Sequence, residues 1–354
     1  MLRLLIFLLI GSASVMAETS WMEHEGVVYG ARPGEAGPIG GGAGYGRIVT
    51  EGDYTAGSVE ALIEALAKAT EGEVVFVPGD AVIELTPLVY IDALVLEIPA
   101  GVTLASDRGH GGSEGALLVN DALQGKVMLR PLGPGVRVTG LRLQGPNPKR
   151  HMEHHRRAFG EDGPGHSYYY KFPTQDGIVM EFDQLETDNC DISGFGHAAI
   201  FLRAGTGHHI HHNVIHHCQY HGLGYGVSHD VAESLIEYNR FDANRHSIAG
   251  TGRPGCRYVA RHNIELGISL SHCFDMHGGR DRKDGTAIAG TRIEIYNNTF
   301  RAPEQAVVIR GVPEESCEVH HNWFTTHEDA KAAVRAEERT HVHDNAYGAT
   351  GEVR

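Results

Sequence analysis

The stretch HHIHHNVI, residues 208–215, sets one asparagine, Asn213, between two short runs that alternate apolar and polar residues. Alternation with a period of two belongs to half-buried strands, and an asparagine between two such runs marks a tight turn. The same device recurs through the second half of the chain: DNCDI at Asn189, HNVI at Asn213, YNRF at Asn239, HNIEL at Asn263, NNTF at Asn298, HNWF at Asn322 and DNAY at Asn345. The spacings are 24, 26, 24, 35, 24 and 23 residues, one recurring period with a single long insertion. Helical repeats need apolar residues at 3.6 spacing, and none appear between these asparagines. A period this short, built of several short strands, describes an all-β fold: a single-stranded right-handed parallel β-helix whose coils stack at ~4.8 Å. The asparagines are expected to form an internal ladder at a turn, tolerating the left-handed backbone there and bonding through their amides to the next coil.

Ahead of the repeats, SVEALIEALAKA (58–69) carries a serine cap, an early glutamate and apolar residues at helical spacing, and the strand-like EVVFVPG follows. A lone amphipathic helix at this place suits a lid over the open end of the solenoid. The run GYGRIVTEGDYTAGSVEALIEALAKATEGEVVFVPGDAVIEL (44–85), then LEIPAGVTLASDRG (96–109), then the coils, resembles the start of the pectate-lyase-like (pectin lyase-like) superfamily. The resemblance spans most of the chain and implies the β-helix fold. That superfamily holds lyases, hydrolases, epimerases and phage depolymerases, so activity must be argued from the site. The chain carries no complete catalytic signature of any one lyase family.

A formal net charge of -15 disfavours a nucleic-acid partner, which needs a basic footprint, but leaves room for an anionic substrate in a locally basic cleft. Arg3, the apolar LLIFLLIG and the small residues of SVMA before Glu18 read as a signal peptide, too short for a membrane anchor. The expected organisation is a leader at 1–17 and one β-helix domain at 18–354, secreted or periplasmic, monomeric and free of membrane. The five cysteines form no closely spaced framework and read as small buried residues.

Stacking the segment after each asparagine turn gives the rows HAAIFLR from His197, HGLGYGV from His221, HSIAGTG from His246, HCFDMHG from His272 and QAVVIRG from Gln305. Alternation then sends Ala199/Phe201, Leu223/Tyr225, Ile248/Gly250, Phe274/Met276 and Val307/Ile309 inward. Ile200/Leu202, Gly224/Gly226, Ala249/Thr251, Asp275/His277 and Val308/Arg310 fall outside. On this outer face small residues leave room for a sugar ring beside Asp275, His277 and Arg310. The insertion GGRDRKDGTAIAGT adds Arg280, Arg282 and Lys283 there, and Thr251 and Arg253 stand on the neighbouring coil. A second insertion, PNPKRHMEHHRRAFGEDGPGHSYYYKFP (146–173), is basic, His-rich and aromatic, as a wall for an anionic polysaccharide should be.

The expected function is a polysaccharide lyase that cleaves a uronate-containing polymer by β-elimination. Arg310 or Arg280 neutralises the uronate carboxylate, His277 removes the C5 proton, and His246 or Tyr225 serves as acid. Asp275 completes the group. No cofactor is expected; Ca²⁺ is the alternative kept open, with only Asp275 placed to bind it. A glycoside hydrolase on the same fold would need a second carboxylate, from Asp230, Asp281 or Asp284, opposite Asp275. In the third reading the histidines are structural and the solenoid binds glycans without catalysis. HHIHHNVIHHC is read as solvated surface rather than a zinc site, because its histidines point several ways.

Overall fold

The alternating runs fold as short strands, nearly all paired in parallel with the coil before and the coil after. The computed structural model describes residues 19–354, so the expected leader at 1–17 lies outside the described residues. Each coil contributes to three faces. The first face runs through Val127–Pro131, Asp176–Met180, the start of Ala198–His211, the start of Tyr225–Glu237, then His246–Gly250, Phe274–Met276, Val307–Ile309 and Val334–Arg335. The second runs from Tyr54–Thr55 to Thr340–His343, and the third from Val82–Glu84 to Glu352–Val353. In the 14-residue Ala198–His211 and the 13-residue Tyr225–Glu237 the strand bends from the first face straight into the second.

Register carries the core along the axis. Ile200, Val227, Ile248, Phe274, Val307 and Val334 stand in one line on the first face, all buried. The helix Val59–Lys68, capped by the Ser58 hydroxyl, buries Leu62, Ala65 and Leu66 over the N-terminal coils, as the lid reading requires. All five cysteines are buried and free. No helix among the described residues is long and apolar enough to cross a membrane.

The asparagine ladder forms at the turn between the second and third faces. Asn213 N–H donates to Asn239 Oδ1 at 3.0 Å, Asn239 N–H to Asn263 Oδ1 at 3.0 Å, and the chain continues through Asn298, Asn322 and Asn345. Each Nδ2 donates back to a carbonyl of the previous coil, as Asn239 does to Ile210 O at 2.9 Å. All six amides are fully buried. Two details differ from the sequence reading. The left-handed residue is the one before the ladder position: His212, Tyr238, His262, Asn297, His321 and Asp344 all have φ between 48° and 55°. Asn189 belongs to that row, with φ 53°, and Cys190 takes its ladder place, donating its N–H to Asn213 Oδ1 at 2.9 Å. The amide must lie inside the turn to reach the next coil, and the left-handed residue beside it faces out. This row, in which Asn189 and His212 are buried, is used for stacking: Tyr238 packs between His212 and His262, with ring centroids 4.9 Å apart on each side.

Replacing Asn239 with leucine leaves the Asn213 N–H and the Ile210 carbonyl buried without partners. At about 1–3 kcal/mol for each such group, chemical denaturation should show a loss of a few kcal/mol, with the coils on both sides affected.

One inward position breaks the apolar rule. On the third face Glu265 pairs with Phe241 and Phe300, in a line that also holds Ile192, Ile215, Phe324 and Tyr347. It is fully buried, and the Ser247 hydroxyl beside it is the polar neighbour that favours its ionised form. Burial first, then the charges of Asp242 and Glu304, push its pKa up to about 8. The folded chain therefore keeps this proton up to about pH 8 while the unfolded chain releases it near the ordinary glutamate value. Stability falls as pH rises through that window, by an amount on the order of a few kcal/mol. Glu265→Gln should raise the Tm at pH 8 and leave it nearly unchanged at pH 4.5, measured by thermal denaturation across that range.

Candidate active site

On the first face Phe274 and Met276 enter the core and Asp275 between them points outward, as the alternation predicts. The strand Val307–Ile309 lies beside it in register and delivers Arg310 just past its end. The Arg310 guanidinium grips Asp275 with two bonds, Nε to Oδ1 at 2.8 Å and Nη2 to Oδ2 at 2.9 Å. His272 Nε2 stands 2.9 Å from Oδ1 and His277 Nε2 stands 2.9 Å from Oδ2. Asp275 is fully buried, whereas the side chains of His277 and Arg310 keep 27% and 23% of their surface. Burial alone would raise the Asp275 pKa, but the imidazoles of His272 and His277 at its two oxygens, together with the charge of His277, hold it well below the carboxylate range. The result is a permanent buried anion holding a guanidinium and an imidazole at the surface.

His246 stands one coil earlier. Its ring stacks on His272, centroids 3.9 Å apart, and on Tyr225 at 5.9 Å. Nδ1 lies 2.6 Å from the His272 carbonyl, which makes it the donor and leaves Nε2 a buried lone pair without a partner. Burial holds this imidazole well below its ordinary pKa. His246 is fully enclosed, so it supports His272 and does not meet a substrate.

The expected row of four leading histidines does not form. Register pairs Ala198, Tyr225 and His246, so His197 sits one residue early and His221 four residues early. Gly222 and Gly224, with φ 93° and 73°, make a turn where the sequence reading counted strand. In the first two rows several assignments are therefore overturned: Ile200 and Leu202 are core, while Phe201 and Tyr225 face out, although Ala199 is core as expected.

The expected substrate-binding residues separate into three groups. Arg282 is a clamp for its own loop, donating from Nη1 to Thr251 O at 2.7 Å, from Nη2 to Ile288 O at 3.0 Å and from Nε to Asp284 at 2.7 Å. Its guanidinium is spent on these carbonyls, so the sequence assignment to substrate is corrected. Thr251 and Arg253 both bond Asp230, at 2.9 Å and 3.0 Å, on the corner beyond the first face. Arg280 extends outward with an exposed pair to Glu337 at 3.1 Å, and Lys283 ends the short helix Gly279–Arg282. Asp281 lies 3.6 Å from Arg310 Nη1, close to the centre.

His246, His272 and Asp275 bring donor atoms within 4.8 Å of one another, as do Glu186, His209 and His211 on the second face. At the first cluster Arg310 holds both Asp275 oxygens and comes within 3.1 Å of His272 Nε2, so a guanidinium stands where a cation would. At the second, Glu186 is held by Arg47 and Arg137. Two imidazoles and an already bonded carboxylate do not suit Ca²⁺, which takes six to eight oxygen ligands.

Farther toward the N-terminus on the same face lies a cleft of about 1040 Å³, which the sequence reading did not locate. Its floor is Asp176 and His197, joined by Nδ1 to Oδ1 at 2.6 Å. Lys126, Arg130, Lys171 and Arg203 stand around it. The basic insertion forms one wall. Its helices Met152–Phe159 and His166–Tyr169 pack through Ala158 and Tyr169 against Tyr220, and present Tyr170, Lys171 and Phe172 to the cleft.

Known proteins resemble this chain in fold. The Dettilon tailspike protein has 14% identity and a TM-score of 0.44, over 83% of this chain and 55% of its own. An alginate lyase from Paenibacillus sp. str. FPU-7 has 12% identity and a TM-score of 0.42, over 81% of this chain and 98% of its own. The chain thus spans about half the length of that tailspike chain. Among curated proteins none matches. The family described as "Right handed beta helix region" matches residues 166–347, more than half of the sequence and the coils that carry the Asp275 centre. With its parallel coils, three faces and buried asparagine ladder, the chain belongs to the right-handed β-helix family.

Proposed function

We propose that this protein is an exported polysaccharide lyase that cleaves a uronate-containing polymer by β-elimination on its first face. The observation that supports this reading best is the group at Asp275: one buried carboxylate holding a guanidinium by two bonds beside a surface imidazole. Such an anion orients both partners and is itself withdrawn from the reaction. Arg310 meets the carboxylate of the uronate and stabilises the charge that grows there as C5 loses its proton. His277 accepts that proton. The C5–H electron pair becomes the C4–C5 double bond as the C4–O bond breaks. The leaving oxygen takes a proton from the imidazolium so formed or from water. His246 and His272 act as positioning residues behind this pair.

The hydrolase alternative needs two carboxylates facing across a cleft, one of them able to donate a proton. Asp275 fits neither role, being buried and bonded at both oxygens. A glycan-binding solenoid without catalysis remains the competing reading for the test to separate.

A panel of polyuronates, followed by the ultraviolet absorbance of the new conjugated double bond, tests the assignment. Absorbance should rise on one of them. New reducing ends without that absorbance would instead indicate hydrolysis, and neither change would indicate a binder. On the active polymer His277→Ala should lose about 10²–10⁴-fold in kcat with the Tm retained. Arg310→Lys keeps the charge but loses the two-pronged grip on Asp275, and kcat/KM should fall by at least about tenfold. Full activity of His277→Ala would remove the mechanism.

A further inference from the structure

We infer that the cleft over Asp176 and His197 is a binding site for an acidic glycan, separate from the Asp275 centre and holding carboxylate or sulfate groups through Lys126, Arg130, Lys171 and Arg203. The assignment deepens the lyase reading and rests on it only for the class of polymer.

Charge is the first argument. The chain carries a formal -15, yet this cleft collects four cationic side chains against Asp176 and Glu181. Lys126 and Lys171 have no ion-pair partner among the described residues. Arg203 meets Glu181 at 2.9 Å and Arg130 meets Glu97 at 3.4 Å, both pairs about half exposed, so either arginine can turn to a ligand at little cost. A concave site with an excess of one sign of charge attracts an oppositely charged ligand.

The floor is the second argument. Burial works against a charge on His197, but the neighbouring Asp176 charge and their hydrogen bond raise its pKa overall. Its Nδ1 is held by Asp176, and Nε2 has no partner among the described residues. In its protonated form the ring offers that Nε2–H as one oriented donor in the cleft. Shape is the third. At about 1040 Å³ the cleft is at the upper end for a small-molecule site, and the exposed Tyr170 lines it with an aromatic side chain on which a sugar ring can pack.

Its place along the axis gives it a purpose. The coil of His197 lies three strand steps from the coil of Asp275, through Tyr225 and His246. That is roughly 14 Å at the spacing of parallel strands. A glycan chain lying along the face would occupy both places at once, so the cleft would hold the polymer while a bond several sugars away is broken.

The test is calorimetric titration of the purified protein and of its His277→Ala variant. The ligands are a uronate tetramer, the same tetramer with its carboxylates reduced to alcohols, and a sulfated neutral tetramer. Binding should require acidic groups: the reduced tetramer should bind at least tenfold more weakly, with the uronate and sulfate arms telling which acid is preferred. The double variant Lys171→Ala, Arg203→Ala should lose at least tenfold in affinity with its Tm unchanged, and Lys171→Arg should retain binding. Equal binding of the neutral tetramer, or an unchanged affinity in the double variant, would overturn the site. If these losses appear but no polyuronate ever yields the double bond, the lyase reading fails and the site stands. If elimination is found and the double variant keeps its KM on polymer, the site fails and the reading stands.

Discussion

A buried backbone N–H at a turn must have an acceptor, and in this fold the acceptor is an amide on the next coil. The bond from Asn213 N–H to Asn239 Oδ1, repeated down to Asn345, answers that demand at successive turns. It also sets the register, because an asparagine one residue out of step could not reach its neighbour. Once register is set, residues far apart in sequence become neighbours. His246, His272, Asp275 and Arg310 span more than two full repeats, yet they stack within hydrogen-bonding and ring-contact distance on one face.

The two buried carboxylates illustrate what that register permits. Asp275 points outward, where Arg310, His272 and His277 can surround it, and it stays ionised at the price of tying up an arginine. Glu265 points inward between phenylalanines, with no cation in reach, and holds its proton. The chemistry of each follows from which side of its strand it occupies. The same logic separates the cations. Arg282 points into backbone carbonyls and serves its loop, while Lys126 and Lys171 stand over open space in an otherwise acidic protein.

Much of this was legible before the structure. The repeat, the capping helix, the outward side of Asp275 and its company with His277 and Arg310 all follow from the spacing of asparagines and from alternation over three or four residues. The readings that failed share one cause. His197 and His221 were aligned by their identity, whereas Gly222 and Gly224 turn the chain and change the count. Asn189 was placed in the ladder because it matched the motif, whereas the position one residue later makes the bond. The Asp176–His197 pair was missed because Asp176 precedes the first asparagine of the repeat, and the loop ahead of it has no period from which to count. The one signal available was the basic, aromatic insertion, which does wall the cleft that holds the pair.

The sequence by itself determined that the chain is a parallel solenoid and where many of its short strands lie. Periodicity is a local property: alternation and turn residues act over a few positions and repeat at every coil, so they survive any error in counting elsewhere. The tertiary structure alone decided which side chains meet across coils, that His246 is enclosed, that Arg282 is a clamp, and that a cationic cleft lies three coils from Asp275. Those outcomes depend on the lengths and bends of the irregular connections between strands. Each extra residue there moves the next strand by one place and turns its side chains to the opposite face.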